Sequence, residues 1–175
     1  MLGFSCAGKS TYIRHLVTEN RRFATATPIY EHMFRTGLCT ELRPGDLFHM
    51  DISTVRKAPG ADCDAQVQDH PLFGKVFEAG HRLSVDVLLA PRSEIRTRIQ
   101  DRTHLGLGWG NDNVTGTYPC ASKLRVLDAL CLMQRYQVWQ GHLHRNRIRH
   151  RFIWSSDERF VTLSGWDEAR RILLR

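Results

Sequence analysis

One short segment near the beginning of the sequence constrains the fold more than any other feature. Residues Gly3–Ser10 read GFSCAGKS, with glycines at the first and sixth positions and lysine and serine at the seventh and eighth. Ile13, Leu16 and Val17 then recur at helical spacing, so the pattern predicts a tight turn that opens directly into a helix. Such a turn aims several backbone N–H groups and a helix N-terminus at one point, an arrangement that favours a phosphate group.

The chemistry of each fixed position explains the spacing of this segment, which is called the glycine loop below. Gly3 allows a tight turn after a strand, and Gly8 lets backbone N–H groups approach an anion without an intervening Cβ. We expect Lys9 to reach the β and γ phosphates of a nucleotide, Ser10 to ligate Mg²⁺ and Thr11 to contact the α phosphate. A glycine-rich turn that only caps a helix is the structural alternative. The predicted nucleotide-binding residues are Gly3, Ser5, Cys6, Ala7, Gly8, Lys9, Ser10 and Thr11.

The glycine loop resembles the Walker A loop of the P-loop NTPases. The sequence SCAGKST at Ser5–Thr11 is most similar to the loops of small P-loop kinases that phosphorylate nucleotides, nucleosides, antibiotics or other small molecules. The resemblance implies a doubly wound α/β sheet, MgATP as the donor and an arginine-bearing lid near the phosphates. Only Met1 and Leu2 precede Gly3, which predicts a truncated first strand or a chain that lacks residues before Met1. A clean Walker B strand, four apolar residues ending in an acid, is also missing from the sequence.

Strand and helix patterns alternate along the chain. They predict an α/β fold with an open, mostly parallel sheet flanked by helices, in a single domain of residues 1–175 with a lid-like region at about 92–120. The predicted strands are Leu47–Ile52, Leu83–Ala90, Phe152–Trp154 and Phe160–Leu163. The predicted helices cover residues 11–20, 28–36, 71–79, 93–102 and 122–143, followed by a C-terminal helix that opens at residues 164–168.

Two aspartates belong to predicted strands. Asp51 lies near the end of its strand, where ligands bind in open α/β sheets. In similar kinases an acid near this position orients the acceptor hydroxyl or acts as its base, so we expect this role for Asp51, with His49 on the same face. The alternative for Asp51 is a residue that caps a turn. Asp86 lies inside an apolar strand and needs a partner, which is either Mg²⁺ or a neighbouring loop.

Arginine supplies most of the positive charge of the chain. The formal net charge is +7, and four of the 25 basic residues are lysines, which leaves 21 arginines. Arg98 and Arg102 lie on one predicted helix, and by resemblance to the lid entry of small P-loop kinases we expect them to stabilise the transferring phosphoryl group. A solvated basic face is the alternative. Residues 142–151 hold four more arginines and no acid, which predicts an edge-strand face or a surface for nucleic acid or another anion.

Several classes of protein do not fit the sequence. No run approaches the roughly 20 apolar residues of a membrane span, and the first residues lack the pattern of a secretory signal. The five cysteines are scattered without a CxxC pair, so neither a disulfide scaffold nor a zinc ribbon is predicted. We therefore expect a cytoplasmic protein without membrane contact.

The expected function is transfer of the γ-phosphate of ATP or GTP to a hydroxyl or phosphate of a small molecule. The predicted catalytic residues are Lys9, Asp51, Arg98 and Arg102, and the predicted metal is Mg²⁺ at Ser10. A P-loop sulfotransferase with a nucleotide sulfate donor and a simple NTPase are alternative enzymes. A nucleotide-dependent switch or a nucleic-acid-binding module that uses the Arg145–Arg151 run is the alternative from another class.

Overall fold

A five-stranded sheet lies at the centre of the structure. The computed structural model describes residues 1–29, 42–52, 83–104, 120–156 and 159–174, with Met33, Gly37, Leu38, Val67 and Val76. The strands are β1 (Leu2–Gly3), β2 (Pro28–Ile29), β3 (Leu47–Phe48), β4 (Met50–Asp51), β5 (Ser84–Leu89), β6 (Arg149–Ser156) and β7 (Arg159–Thr162). The helices are α1 (Lys9–Glu19), a 3₁₀ turn (Arg21–Phe23), α2 (Arg92–His104), α3 (Cys120–Ala129), α4 (Leu132–Arg145) and α5 (Trp166–Leu173).

The main sheet has the order β4–β1–β5–β6–β7, and β2 pairs with β3 in a second, two-stranded sheet. Every pairing of the main sheet is parallel except that of β6 with β7. The short first strand that the sequence predicts is present: β1 has two residues, which pair with β4 on one side and with β5 on the other. The glycine loop therefore leaves the sheet from an interior strand.

Helices cover both faces of the sheet. Successive residues of a strand point to opposite faces, so Leu88 and Ile153 pack against Ile13 of α1, whereas Leu89 faces the other helices. Helices α2 to α5 bury large apolar side chains on that second face, among them Ile95, Ile99, Leu127, Trp139, Leu143 and Ala169. The predicted α/β fold with a mostly parallel sheet flanked by helices is confirmed.

The predicted helix at residues 28–36 does not begin at Pro28. Pro28 and Ile29 form β2, which pairs in parallel with β3. Because proline lacks an N–H, it fits the first residue of such a strand, and the Leu47 N–H bonds the Thr27 carbonyl instead at 3.1 Å. The predicted strand Leu47–Ile52 is likewise divided, since β3 and β4 belong to different sheets. The predicted helix at residues 71–79 lies outside the described residues, apart from Val76.

The predicted single helix at residues 122–143 is wrong. Helix α3 ends at Ala129, and α4 begins after Cys131, whose backbone is extended. The Arg92 guanidinium donates to the carbonyls of Leu127 and Leu130, so it satisfies the carbonyl groups that a helix end leaves free. The break redirects α4, which can then bury its own apolar stripe on the sheet.

The four arginines of residues 142–151 form the second arginine cluster, which begins in α4 and continues into β6: Arg145, Arg147, Arg149 and Arg151. The first residue of β6, Arg149, pairs with the first residue of β5, Ser84. This cluster therefore lies at the end of the parallel strands that is opposite to the glycine loop. Strand β6 lies between β5 and β7, but β7 pairs only with Ile153–Ser156, so among the described residues the segment of β6 that holds Arg149 and Arg151 pairs with β5 alone. In the described part of the chain, no helix is long and apolar enough to cross a membrane.

Candidate functional site

The glycine loop connects the end of β1 with the first turn of α1. Cys6 and Gly8 both have left-handed backbones, with φ of 63° and 89°. The Ala7 N–H closes the turn by donating to the Phe4 carbonyl at 3.0 Å. Both glycines are required sterically. A Cβ at Gly3 would lie 2.9 Å from the Leu88 carbonyl oxygen, and one at Gly8 would lie 2.6 Å from the Ser155 hydroxyl oxygen.

Lys9 is held inside the loop that it follows. Its side chain is buried, and its ammonium donates to the Gly3 and Phe4 carbonyls at 2.8 and 2.7 Å. Two charge-assisted hydrogen bonds fix the ammonium beside the turn rather than in solvent. Ser5 and Ala7 are buried as well, while Cys6 is half-buried.

The first turn of α1 presents polar groups next to this ammonium. Gly8 caps the helix and has no side chain that could accept from the N–H groups of the first turn. Ser10 is exposed there, and its hydroxyl lies 3.4 Å from the Nε2 atom of His49. Thr11 follows it and is half-buried. The helix dipole and these N–H groups favour an anion at this point.

Asp51 lies at the glycine loop, as the sequence predicts. It pairs in register with Gly3, and Gly3 pairs with Leu88 on its other side. Opposite residues of neighbouring strands point to the same face, so Asp51 shares the α1 face with Leu88. Asp51 is half-buried, and with burial as the main cause its carboxylate helps to raise the pKa of the Tyr136 hydroxyl.

Arg98 reaches the loop from α2 and is the only predicted lid arginine whose side chain is described. Its guanidinium donates to the Cys6 carbonyl at 3.3 Å and to the Ser155 carbonyl at 3.3 Å. Glu94, one turn earlier, pairs with the guanidinium at 2.7 Å and accepts a hydrogen bond from the Ser156 hydroxyl at 2.6 Å. The backbone of Arg102 belongs to α2, but its side chain and residues 105–119 of the predicted lid lie outside the described part.

Lys123 is a loop contact that sequence reasoning missed. Its ammonium lies 3.3 Å from the Ser5 hydroxyl oxygen, and its side chain is half-buried on α3. The sequence gives one sign of Lys123, which is that lysine is rare in this chain. Lys123 is one of four lysines and stands 114 residues after Lys9. Its placement depends on the position of α3 in the fold, which no local pattern specifies.

Tyr136 is a second residue that sequence reasoning missed. Its hydroxyl forms a brace, that is, a pair of hydrogen bonds that holds the start of the loop in place. Its side chain is fully buried in α4, and its hydroxyl accepts from the Phe4 N–H at 3.0 Å and donates to the Leu88 carbonyl at 2.7 Å. The spacing of Leu132, Tyr136, Trp139 and Leu143 indicates an apolar stripe, so the sequence indicates only the burial of the ring. The hydroxyl joins the start of the glycine loop to β5.

We expect Tyr136→Phe to lower the free energy of unfolding by about 2 kcal/mol, because the buried Phe4 N–H loses its partner. Urea denaturation monitored by circular dichroism measures the change. Tyr12→Phe is the matched control: the Tyr12 hydroxyl is partly exposed, and its partners Asp86 and Arg151 still bind each other. The control is expected to lose less than about 1 kcal/mol. Equal losses in the two variants would contradict the brace.

Asp86 has a structural partner on the neighbouring strand. Arg151 binds it with two guanidinium nitrogens, at 2.7 and 3.1 Å, and the Tyr12 hydroxyl donates to it at 3.0 Å. The hydrogen bond to Asp86 raises the pKa of Arg151. This ion pair satisfies the carboxylate inside the sheet, as the structural interpretation of Asp86 predicts, although the partner lies on a strand and not on a loop.

Comparisons with protein-family models, with curated proteins and with solved structures found no match for this chain.

Proposed function

We propose that the chain is a P-loop phosphotransferase, which binds MgATP or MgGTP at the glycine loop and transfers the γ-phosphate to a small molecule. One observation carries the proposal. The loop joins an interior parallel strand to the N-terminus of α1, and its lysine, Lys9, is buried against two carbonyls of the loop itself. A turn that only caps a helix does not need a buried ammonium, whereas a phosphate site does.

The donor groups of the loop suit a phosphate chain. Left-handed backbone at Cys6 and Gly8 curls the chain, and the first-turn N–H groups of α1 follow directly. Together with the Lys9 ammonium they form a compact cationic cradle, in which the β phosphate accepts backbone hydrogen bonds and the lysine pairs with the β and γ oxygens. The Thr11 end of the cradle then meets the α phosphate.

Mg²⁺ fits the hydroxyl oxygen of Ser10, which is exposed in the first turn of α1. Mg²⁺ takes oxygen ligands and keeps several waters when it binds beside phosphates. Bound there, Mg²⁺ would neutralise charge on the phosphates, with Ser10 as its direct ligand.

Asp51 and Arg98 approach the loop from opposite flanks. Asp51 orients or deprotonates the acceptor hydroxyl from the β4 side, next to His49. Arg98 donates to charge that builds up on the transferring phosphoryl group from the α2 side, where its contact with Cys6 already places it. Glu94 and the Ser155 carbonyl hold this guanidinium in place before substrate arrives.

Thermal-shift measurements with ATP, GTP and an adenosine phosphosulfate, with and without Mg²⁺, test the proposal. For wild type we expect MgATP or MgGTP, at about 100 times Kd, to raise the melting temperature by about 5–10 °C. In Lys9→Ala the rise should fall below about 1 °C, because the charge that meets the phosphates is gone.

Arg149→Ala is the matched control, since it also removes one positive charge, here from an exposed residue, but lies at the end of the strands opposite to the glycine loop. This variant is expected to keep the wild-type shift. Equal responses in wild type and Lys9→Ala would contradict the proposal. A larger response to the phosphosulfate than to either triphosphate, without need of Mg²⁺, would favour a sulfotransferase instead.

A further inference from the structure

Three cationic side chains meet four consecutive residues at the start of the glycine loop. Lys9 bonds the carbonyls of Gly3 and Phe4, Lys123 the hydroxyl of Ser5, and Arg98 the carbonyl of Cys6. Lys9 belongs to the loop itself, whereas Arg98 and Lys123 come from α2 and α3. Donor binding already accounts for Lys9, and phosphoryl stabilisation accounts for Arg98. Lys123 has no assigned role.

Helices α2 and α3 hold Lys123 in place. The Arg92 guanidinium donates to the Leu127 carbonyl at 2.6 Å, and Arg96 forms an ion pair with Asp128. Leu127 is fully buried and stands four residues after Lys123, so both side chains point from one face of α3. Packing of this face therefore directs the ammonium to the loop, and Lys123 is not a freely moving surface lysine.

The position of Lys123 along the loop separates it from the nucleoside. In the proposed binding mode Thr11 meets the α phosphate and Lys9 the β and γ phosphates, so the nucleotide extends from the Thr11 end toward the Ser5 end. Lys123 contacts Ser5 and thus lies beyond the γ-phosphate, where donor and acceptor meet. A positive charge at this place attracts a negatively charged acceptor.

We propose that Lys123 binds an anionic group of the acceptor, so that the acceptor carries a carboxylate or a phosphate besides the group that is phosphorylated. This inference rests on the proposed phosphotransferase function. The ammonium pairs with the anion as a point charge, and Ser5 adds a hydroxyl within reach of the same anion.

In the test, the donor site is filled first, and simple anions are then titrated into the complex. The chain is saturated with Mg²⁺ and the non-transferable β,γ-imido analogue of ATP, and inorganic phosphate or acetate is added at constant ionic strength. Binding is measured by calorimetry. We expect Lys123→Gln to weaken binding of the preferred anion by about tenfold, whereas Lys123→Arg should retain most of the binding. Arg125→Gln is the control on the same helix; it changes an exposed residue and should leave anion binding unaltered. The stronger anion indicates whether the acceptor group is a phosphate or a carboxylate.

Two results would overturn the inference while the proposed function stands. One is anion binding that is absent or equal in wild type and Lys123→Gln. The other is a Lys123→Gln variant that binds the imido analogue more weakly relative to ADP, since Lys123 would then contact the γ-phosphate of the donor. Failure of wild type to bind any nucleotide would instead reject the proposed function, and this inference with it.

Discussion

Gly8→Ala is expected to lower the free energy of unfolding by about 3 kcal/mol and to abolish the thermal shift with MgATP. The left-handed backbone at this position, with φ of 89°, costs a non-glycine residue about 1–2 kcal/mol. The new methyl group would also lie 2.6 Å from the Ser155 hydroxyl oxygen, and relieving such a contact in a packed interior costs about 1–3 kcal/mol. Urea denaturation and nucleotide thermal shifts measure the two effects.

Gly45→Ala separates the two causes. Gly45 has a φ of 97° but no atom within 4 Å of an added Cβ, so only the backbone cost of about 1 kcal/mol is expected there. In a Ser155→Ala background the clash partner of Gly8 disappears, and the loss from Gly8→Ala should shrink toward that of Gly45→Ala. If the free energy of unfolding lost in Gly8→Ala does not depend on Ser155, then the Ser155 side chain of β6 does not limit the space at Gly8.

Asp51→Asn is expected to lower kcat by about 10²–10⁴-fold while the MgATP thermal shift remains within about twofold of wild type. The amide keeps the size of the carboxylate but neither takes a proton nor holds the acceptor hydroxyl with a full charge. The measurement is ADP release with the best acceptor from a panel of nucleoside monophosphates, nucleosides, hydroxy acids and sugar alcohols. KM for MgATP should change little, because in the proposed binding mode Lys9 and the loop N–H groups bind the donor.

Asp86→Asn is the matched control for this experiment. It removes the same charge from β5, on the same face of the sheet, but its carboxylate binds Arg151 and Tyr12 instead of facing the loop. It should lower stability and leave kcat within about threefold of wild type. Equal loss of kcat in the two variants would mean that net charge, rather than the position of Asp51, controls the reaction.

Local pattern predicted those parts of the site that lie on contiguous residues. The glycine loop and the helix after it follow from glycine positions and from 3.6-residue periodicity, and Asp51 follows from its place near the end of an apolar run. Asp86 was identified as a carboxylate in need of a partner, since an unpaired charge inside a strand is costly. In each case the deciding chemistry acts within about ten residues.

Contacts between distant residues explain what the sequence did not predict. Arg92, 35 residues away from Leu127, binds the carbonyls of Leu127 and Leu130 where helix α3 ends, and no pattern around residue 130 contains that information. Lys123 and Tyr136 approach the loop from 118 and 132 residues further along the chain. Their ordinary spacing on amphipathic helices gives no sign of the groups that they bind.

The brace between Tyr136 and Phe4 also sets an order of events during folding. The two residues are 132 positions apart, so the start of the loop gains its buried hydrogen-bond partner only after α4 has been synthesised and docked. Strand β1 has only two residues in the sheet, and the other distant side chains that contact the loop, Arg98 and Lys123, also come from helices later in the chain. We expect the glycine loop to be among the last parts of the chain to gain protection from hydrogen exchange, so that a competent site reports a completed fold.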